Sequence, residues 1–131
     1  MLIQIDYHNG VPIYRQVLDQ LRQQIVSGQL SEGQQLLSVR DLASELKVNP
    51  MTISKAYALL EMEGLVERRR GIGLFVAKVP KQRQSEIKTR IVQQILDRAV
   101  STAIQLGIPQ EQFQQLIARL FEKYDRQERQ P

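Results

Sequence analysis

Residues 37–60 hold two short amphipathic patterns joined by a connection of only two or three residues, and that spacing admits few folds. The stretch reads Leu37-Ser-Val-Arg-Asp-Leu-Ala-Ser-Glu-Leu-Lys-Val-Asn-Pro-Met-Thr-Ile-Ser-Lys-Ala-Tyr-Ala-Leu-Leu60. In its first half Val39, Leu42, Ala43 and Leu46 recur at i, i+3, i+4 and i+7, one apolar face of an α-helix. Ser38 stands before that run as an N-cap, and Asp41 falls at the third helical position, where a carboxylate suits the exposed N–H groups. In the second half Ile53, Ala56, Tyr57 and Leu60 repeat the spacing. Asn49 is a favoured N-cap, and Pro50 a favoured first helical residue because its missing N–H would have no intrahelical partner there. Val48 and Ile53 take the two positions of a hydrophobic staple. A short helix, a tight turn and a capped helix make a helix-turn-helix.

With positions 53, 56, 57 and 60 turned inward, Met51, Thr52, Ser54, Lys55 and Ala58 are left on the outer side of the second helix or its shoulders. They are short, polar or flexible, with one cation and no acid; Glu61 and Glu63 are held back to the C-terminal end. Such a helix can place its N-terminal half in a DNA major groove, where base edges offer partners and phosphates repel carboxylates. The same stretch by itself also fits an ordinary surface helix.

The next segment of the chain narrows the choice. Gly64 is suited to close the helix. Leu65-Val-Glu-Arg-Arg-Arg70 and Leu74-Phe-Val-Ala-Lys78 flank Gly71-Ile-Gly73, so β-branched and aromatic runs surround glycines that can take the positive φ of a tight hairpin. Three arginines lead into its tip. A basic hairpin directly after a recognition-type helix predicts a winged helix-turn-helix, with Arg69, Arg70 and Gly71 at the backbone or minor groove. Gly-x-Gly as a phosphate loop lacks the surrounding strand–loop–helix unit with its lysine.

These residues resemble the GntR family of bacterial transcription regulators. The resemblance covers roughly Pro12 to Val76 and includes Pro12-Ile-Tyr-Arg-Gln, Ile25-Val-Ser-Gly-Gln-Leu-Ser-Glu-Gly, Leu37-Ser-Val-Arg-Asp-Leu-Ala, Val48-Asn-Pro-Met-Thr-Ile, Ala56-Tyr, Leu60-Glu-Met-Glu-Gly-Leu and Arg69-Arg-Gly-Ile-Gly-Leu-Phe-Val. Val-Asn-Pro-x-Thr and the short remainder look most like the YtrA subfamily. The resemblance implies that Arg40, matching a family arginine that meets DNA, is a contact here, with Asn49, Met51, Thr52, Ser54 and Lys55 beside it. Three departures stand out. The family usually has Leu-Pro-Ser where this chain has Leu36-Leu37-Ser38, and often a basic residue where Pro50 stands. It usually has glycine at Lys47, so a non-glycine is expected in a left-handed conformation at a cost of about 1–2 kcal/mol.

The remaining chain is read around this centre. A net charge of +4 is compatible with a polyanion partner, but the charge is not concentrated in the helix-turn-helix half. With no cysteine, disulfides and thiol catalysis are excluded, which fits a reducing cytoplasm. No signal peptide and no apolar run of bilayer length are present, so no membrane partner is expected. The single histidine, His8, sits in a Gly/Asn-containing turn without companions for a metal site. No nucleophile–base pair or paired inward carboxylates can be assembled, so neither an enzyme nor a cofactor is expected. Residues 1–10 read as an extended arm ending in a turn. Helix 1 begins at Pro12, with Tyr14, Leu18, Leu21 and Ile25 in one stripe, and Leu30 and Leu36 tuck back into the core.

After Lys78 the polar run Val79–Gln84 marks a hinge. A long helix is expected from about Ser85 to Leu106, a break at Gly107 and Pro109, a last helix from about Gln110 to Tyr124, and a frayed tail from Asp125 to Pro131. The expected fold is mainly α with a small β-hairpin: a winged helix-turn-helix domain over residues 1–78, then a two-helix C-terminal dimerisation hairpin over 79–131. Both last helices carry apolar faces too wide to cover each other, so an identical hairpin from a second chain is the expected partner, through Ile91, Ile95, Phe113, Leu120 and Phe121. The function expected is a homodimeric, sequence-specific repressor on an inverted-repeat operator in double-stranded DNA. A winged-helix module that binds protein, with Met51 and Tyr57 as anchors, is the second reading. The sequence identifies no small-molecule effector, and the resemblance implies no large effector domain.

Overall fold

The computed structural model describes residues 1–129; Gln130 and Pro131 lie outside the described residues. Five helices and one hairpin follow in the order α1 Ile13–Val26, α2 Val39–Leu46, α3 Pro50–Met62, β1 Val66–Arg69, β2 Gly73–Val76, α4 Lys81–Gln105 and α5 Gln110–Arg129. They form two compact units, Met1–Thr89 and a second from Arg90 on. The first is a winged helix-turn-helix; the second is helical.

The start signals act where local chemistry puts them. The Asp41 N–H donates to Ser38 Oγ at 3.0 Å, and the Met51 N–H to Asn49 Oδ1 at 2.9 Å. Pro50 opens α3. Pro12 sits one residue outside α1 rather than in its first turn, and its carbonyl accepts the N–H groups of Arg15 and Gln16. Lys47 ends α2 at φ 57°, ψ 47°, the only non-glycine with positive φ among the described residues. The expected left-handed lysine is therefore present. Its conformation lets the Val48 N–H reach back to the Ala43 carbonyl at 3.0 Å, the closing bond of a Schellman-type end.

Val17, Leu18, Leu21 and Ile25 of α1, Leu42 and Ala43 of α2, and Ile53, Ala56, Tyr57 and Leu60 of α3 form one buried core. Leu30 and Leu36 are buried with them, as the loop pattern predicts. Arg22 of α1 donates through Nε to Glu63 Oε2 at 2.9 Å and through Nη1 to Asp19 at 2.9 Å, fastening the end of α3 to α1. The hydrogen bond to Glu63 raises the Arg22 pKa further above its ordinary value. The N-terminal arm is held by a periodic device. Gln16, Gln20 and Gln24, spaced four apart on one face of α1, bond the backbone of Asp6, Gln4 and Leu2 in turn, at 2.7–2.9 Å.

β1 and β2 pair antiparallel, Val66 with Val76 and Arg69 with Gly73, leaving Arg70-Gly71-Ile72 as the connection. Gly71 takes φ +77°, which a side chain would strain. The loop before α2 adds a third line of backbone bonds: Gly33 N–H to Val76 O at 2.8 Å, Val76 N–H to Gln34 O at 2.8 Å, and Leu36 N–H to Leu74 O at 2.9 Å. The wing is thereby tied to the loop in front of the helix-turn-helix. Gly73 takes φ +143°, a conformation L side chains rarely adopt, whereas the nearest atom to a Cβ there is the movable Nε2 end of Gln35 at 2.9 Å.

Two boundaries differ from expectation. α4 starts at Lys81, not Ser85, because Pro80 stands just before the first turn and accepts the Gln84 N–H at 2.9 Å, and Lys-Gln-Arg-Gln are good helix formers. Val79 and Ile87 are both buried, and Arg83 donates to the Glu63 carbonyl, so the segment expected as a hinge is structured. α5 continues five residues past Tyr124, through a run of helix formers carrying an Asp125–Arg129 i,i+4 ion pair at 3.2 Å, instead of fraying at Asp125.

Candidate nucleic-acid interface

α3 sorts its side chains as its period demands. Ile53, Ala56, Tyr57 and Leu60 face the core; Met51, Ser54, Lys55 and Ala58 are exposed, and Thr52 is half-buried. Met51 is 77% exposed, at the open N-terminal end of the helix. Asn49 uses its Oδ1 in capping, so its amide N–H groups remain for another partner. Tyr57 does not share this face. Its ring is buried and its O–H donates to the Leu37 carbonyl at 2.8 Å. Burial pushes its phenol pKa well above the ordinary value. The pair of anchors required for a protein-binding module is therefore not on one surface.

Arg40 occupies the second position of α2 and is exposed, and none of the ion pairs among the described residues includes it. Lys55 holds its ammonium 3.9 Å from the centroid of the Tyr14 ring, at the start of α1. The three wing arginines have three different surroundings. Arg68 pairs with Glu61 at 3.1 Å, bracing β1 against the end of α3. Arg69 lies 4.0 Å over the Phe75 ring. Arg70, in the connection, is exposed and has no ion-pair partner among the described residues. A Cβ on Gly71 would meet nothing within 4 Å, so backbone there is open to close approach. Between α3 and the wing lies an open cleft of about 270 Å³, with Ser38, Ser54, Arg68 and Gly73 at its wall.

Sequence reasoning missed Tyr14, Arg68 and Glu61. Tyr14 reads as a core stripe residue, and its spacing within α1 carries no trace of a lysine 41 positions away. Arg68 and Glu61 stand in the hairpin and helix motifs, and only the fold of the hairpin shows them to be paired.

In the second unit, Ile95 and Phe121 are 66% and 75% exposed, and Leu120 is exposed, whereas Ile91 and Phe113 are half-buried. α4 and α5 leave an open groove lined by Ile95, Ala99, Leu106, Phe113 and Leu116, with Arg98 beside it. No helix among the described residues is long and apolar enough to cross a membrane.

Residues 13–76 match the family described as bacterial regulatory proteins, gntR family. The chain is 34% identical over 119 residues to the HTH-type transcriptional repressor YtrA of Bacillus subtilis, spanning 91% of this chain and 92% of that one. Among solved structures it is similar to a GntR family transcriptional regulator from Listeria monocytogenes (TM-score 0.76, 34% identity, 86% of this chain and 98% of that one). YtrA from Sulfolobus acidocaldarius, a GntR-family transcription factor, is also similar (TM-score 0.59, 33% identity, 77% and 99%). Relatives and family alike are regulators and not enzymes, and the match runs through both helices of the helix-turn-helix and the wing. The chain belongs to the GntR family of DNA-binding transcription regulators, with YtrA-like relatives.

Proposed function

We propose that the protein is a homodimeric repressor that reads an inverted-repeat operator. Arg40 and Lys55, the polar face of α3 (Asn49, Met51, Thr52, Ser54) and the wing tip (Arg69, Arg70, Gly71) form the DNA-contacting surface. One observation carries it: α3 turns its apolar side into the core and leaves an acid-free N-terminal half exposed, with exposed arginines on α2 and the wing of the same unit. Arg40 and the α3 side chains read base edges and phosphates, and the wing cations follow the backbone.

The dimer is supported by the apolar surface of the second unit. Ile95 and Phe121 expose most of their area, and an uncovered apolar face of that breadth marks an association site. A two-fold dimer presents two reading heads, which is why the operator is proposed as an inverted repeat. Repression is proposed because the Bacillus subtilis relative is named a transcriptional repressor. A cytoplasmic location is part of the same proposal, since a DNA-binding regulator must reach the chromosome. The test is selection of bound duplexes from a random DNA pool by the full chain, with the mass of the complex measured in solution. An enriched inverted repeat bound by two chains is expected; no enrichment, or one chain per duplex, would overturn the proposal.

A further inference from the structure

Lys55 is the one cation on the exposed part of α3, and its ammonium does not project freely. It lies 3.9 Å from the centroid of the Tyr14 ring, within the range where the negative face of an aromatic attracts a cation. Tyr14 is half-buried near the start of α1, and α1 packs against α3 in the same compact unit, so the ring is a fixed support. The Arg15 guanidinium is 6.0 Å from the same ring, at the limit of useful attraction, and leaves Lys55 the nearer cation. None of the ion pairs among the described residues includes Lys55.

We propose that Tyr14 is a positioning residue for DNA binding: its ring holds Lys55 extended along the start of α1 before DNA arrives, with the ammonium presented to a phosphate. The ring engages one side of the ammonium, and its remaining N–H donors are free for phosphate oxygens. A lysine on a four-carbon stem loses much rotamer freedom when it is fixed at an interface. Where the unbound protein already restrains that stem, less freedom is lost on binding. Tyr14 therefore acts on affinity through Lys55. The proposal rests on the reading of Lys55 as a DNA contact.

A double-substitution cycle on the full chain tests it, using the duplex recovered by pool selection. Tyr14→Leu should weaken binding about two- to fivefold, the fold-change matching an exposed cation–π contact. Its salt slope should not change, because the same phosphate is still neutralised. Lys55→Ala should shallow the slope by about one unit. In that background Tyr14→Leu should cost nothing further, and Tyr14→Phe should bind as the parent does.

Three results overturn the proposal. Tyr14→Leu could bind as tightly as the parent or tighter; its loss could persist undiminished in the Lys55→Ala background; or Tyr14→Phe could lose as much as Tyr14→Leu, which would assign the effect to the hydroxyl. If Lys55→Ala itself leaves affinity and slope unchanged, the underlying reading of Lys55 fails instead. Should Tyr14→Leu not fold, NMR of the parent decides. The Lys55 ε-methylene should be shifted upfield by the ring in both free and DNA-bound protein, and an unshifted signal in the free protein overturns the proposal.

Discussion

The Tyr57 hydroxyl donates to the Leu37 carbonyl at 2.8 Å, so the middle of α3 is tied to the residue just ahead of the α2 cap. Tyr57→Phe should cost about 1 kcal/mol by removing that part-buried bond. The substitution should also change the response to alkali. The folded phenol has a pKa raised by burial above its ordinary 10.0. The stability it contributes is complete below pH 10, and declines as pH rises toward the folded value, because ionisation favours the unfolded chain. Urea melts from pH 7 to 11 should steepen in their loss for the parent above about pH 10, and Tyr57→Phe should show less of it.

Lys47→Gly should stabilise the protein by about 0.5–1 kcal/mol. The lysine sits at φ 57°, ψ 47°, where a Cβ is strained by roughly 1–2 kcal/mol, and glycine's larger unfolded-state entropy returns part of that. DNA affinity should be unaltered. A lower melting temperature for the glycine variant would show that the lysine side chain contributes more than its backbone strain costs.

Arg40→Ala should weaken operator binding by about 1–3 kcal/mol with no change in thermal stability, since the side chain is exposed and makes no ion pair among the described residues. Titrating the selected site and single-base variants of it shows whether the loss is confined to one base position or uniform. Parent-like affinity would remove Arg40 from the interface.

Replacing Arg69 and Arg70 together with alanine should shallow the salt slope by about one unit for each phosphate no longer neutralised. Arg69 lies over Phe75, so its loss should also lower wing stability slightly, whereas Arg70 should affect binding alone. The single variants, compared by melting and by titration at several salt concentrations, separate the two.

Two truncations should behave differently. A chain ending at Thr89 keeps Val79, Ile87 and the Arg83 bond to the Glu63 carbonyl, and should be a folded monomer that binds DNA weakly. A chain ending at Lys78 loses all three and should melt lower, because each buried aliphatic removed costs about 1.5–3 kcal/mol. In the full chain, Ile95→Glu with Phe121→Glu should leave secondary structure intact and give a monomer with roughly a hundredfold weaker operator binding. A double variant that still sediments as a dimer would place the interface elsewhere.

What the sequence determined by itself is what a single turn of chain can specify. Ser38, Asn49 and Pro50 start their helices because cap and first-turn chemistry involves only the next three residues. Gly71 permits the wing's turn for an equally local reason. The 3.6-residue period sorted α3 into a buried and an exposed face, since facing inward or outward is a property of the helix alone. Pro80 reads as a hinge signal in the sequence because its punctuation is ambiguous: proline interrupts a helix interior yet favours the threshold of one. Only the tertiary structure decided where the polar side chains end. Lys55 rests on Tyr14, Arg68 on Glu61, and Gln16, Gln20 and Gln24 on the backbone of the arm. A long polar side chain has solvent as its default partner, and it takes another only when a distant element is brought within a few ångströms of it. That distance is set by packing of the whole core, which no local pattern encodes.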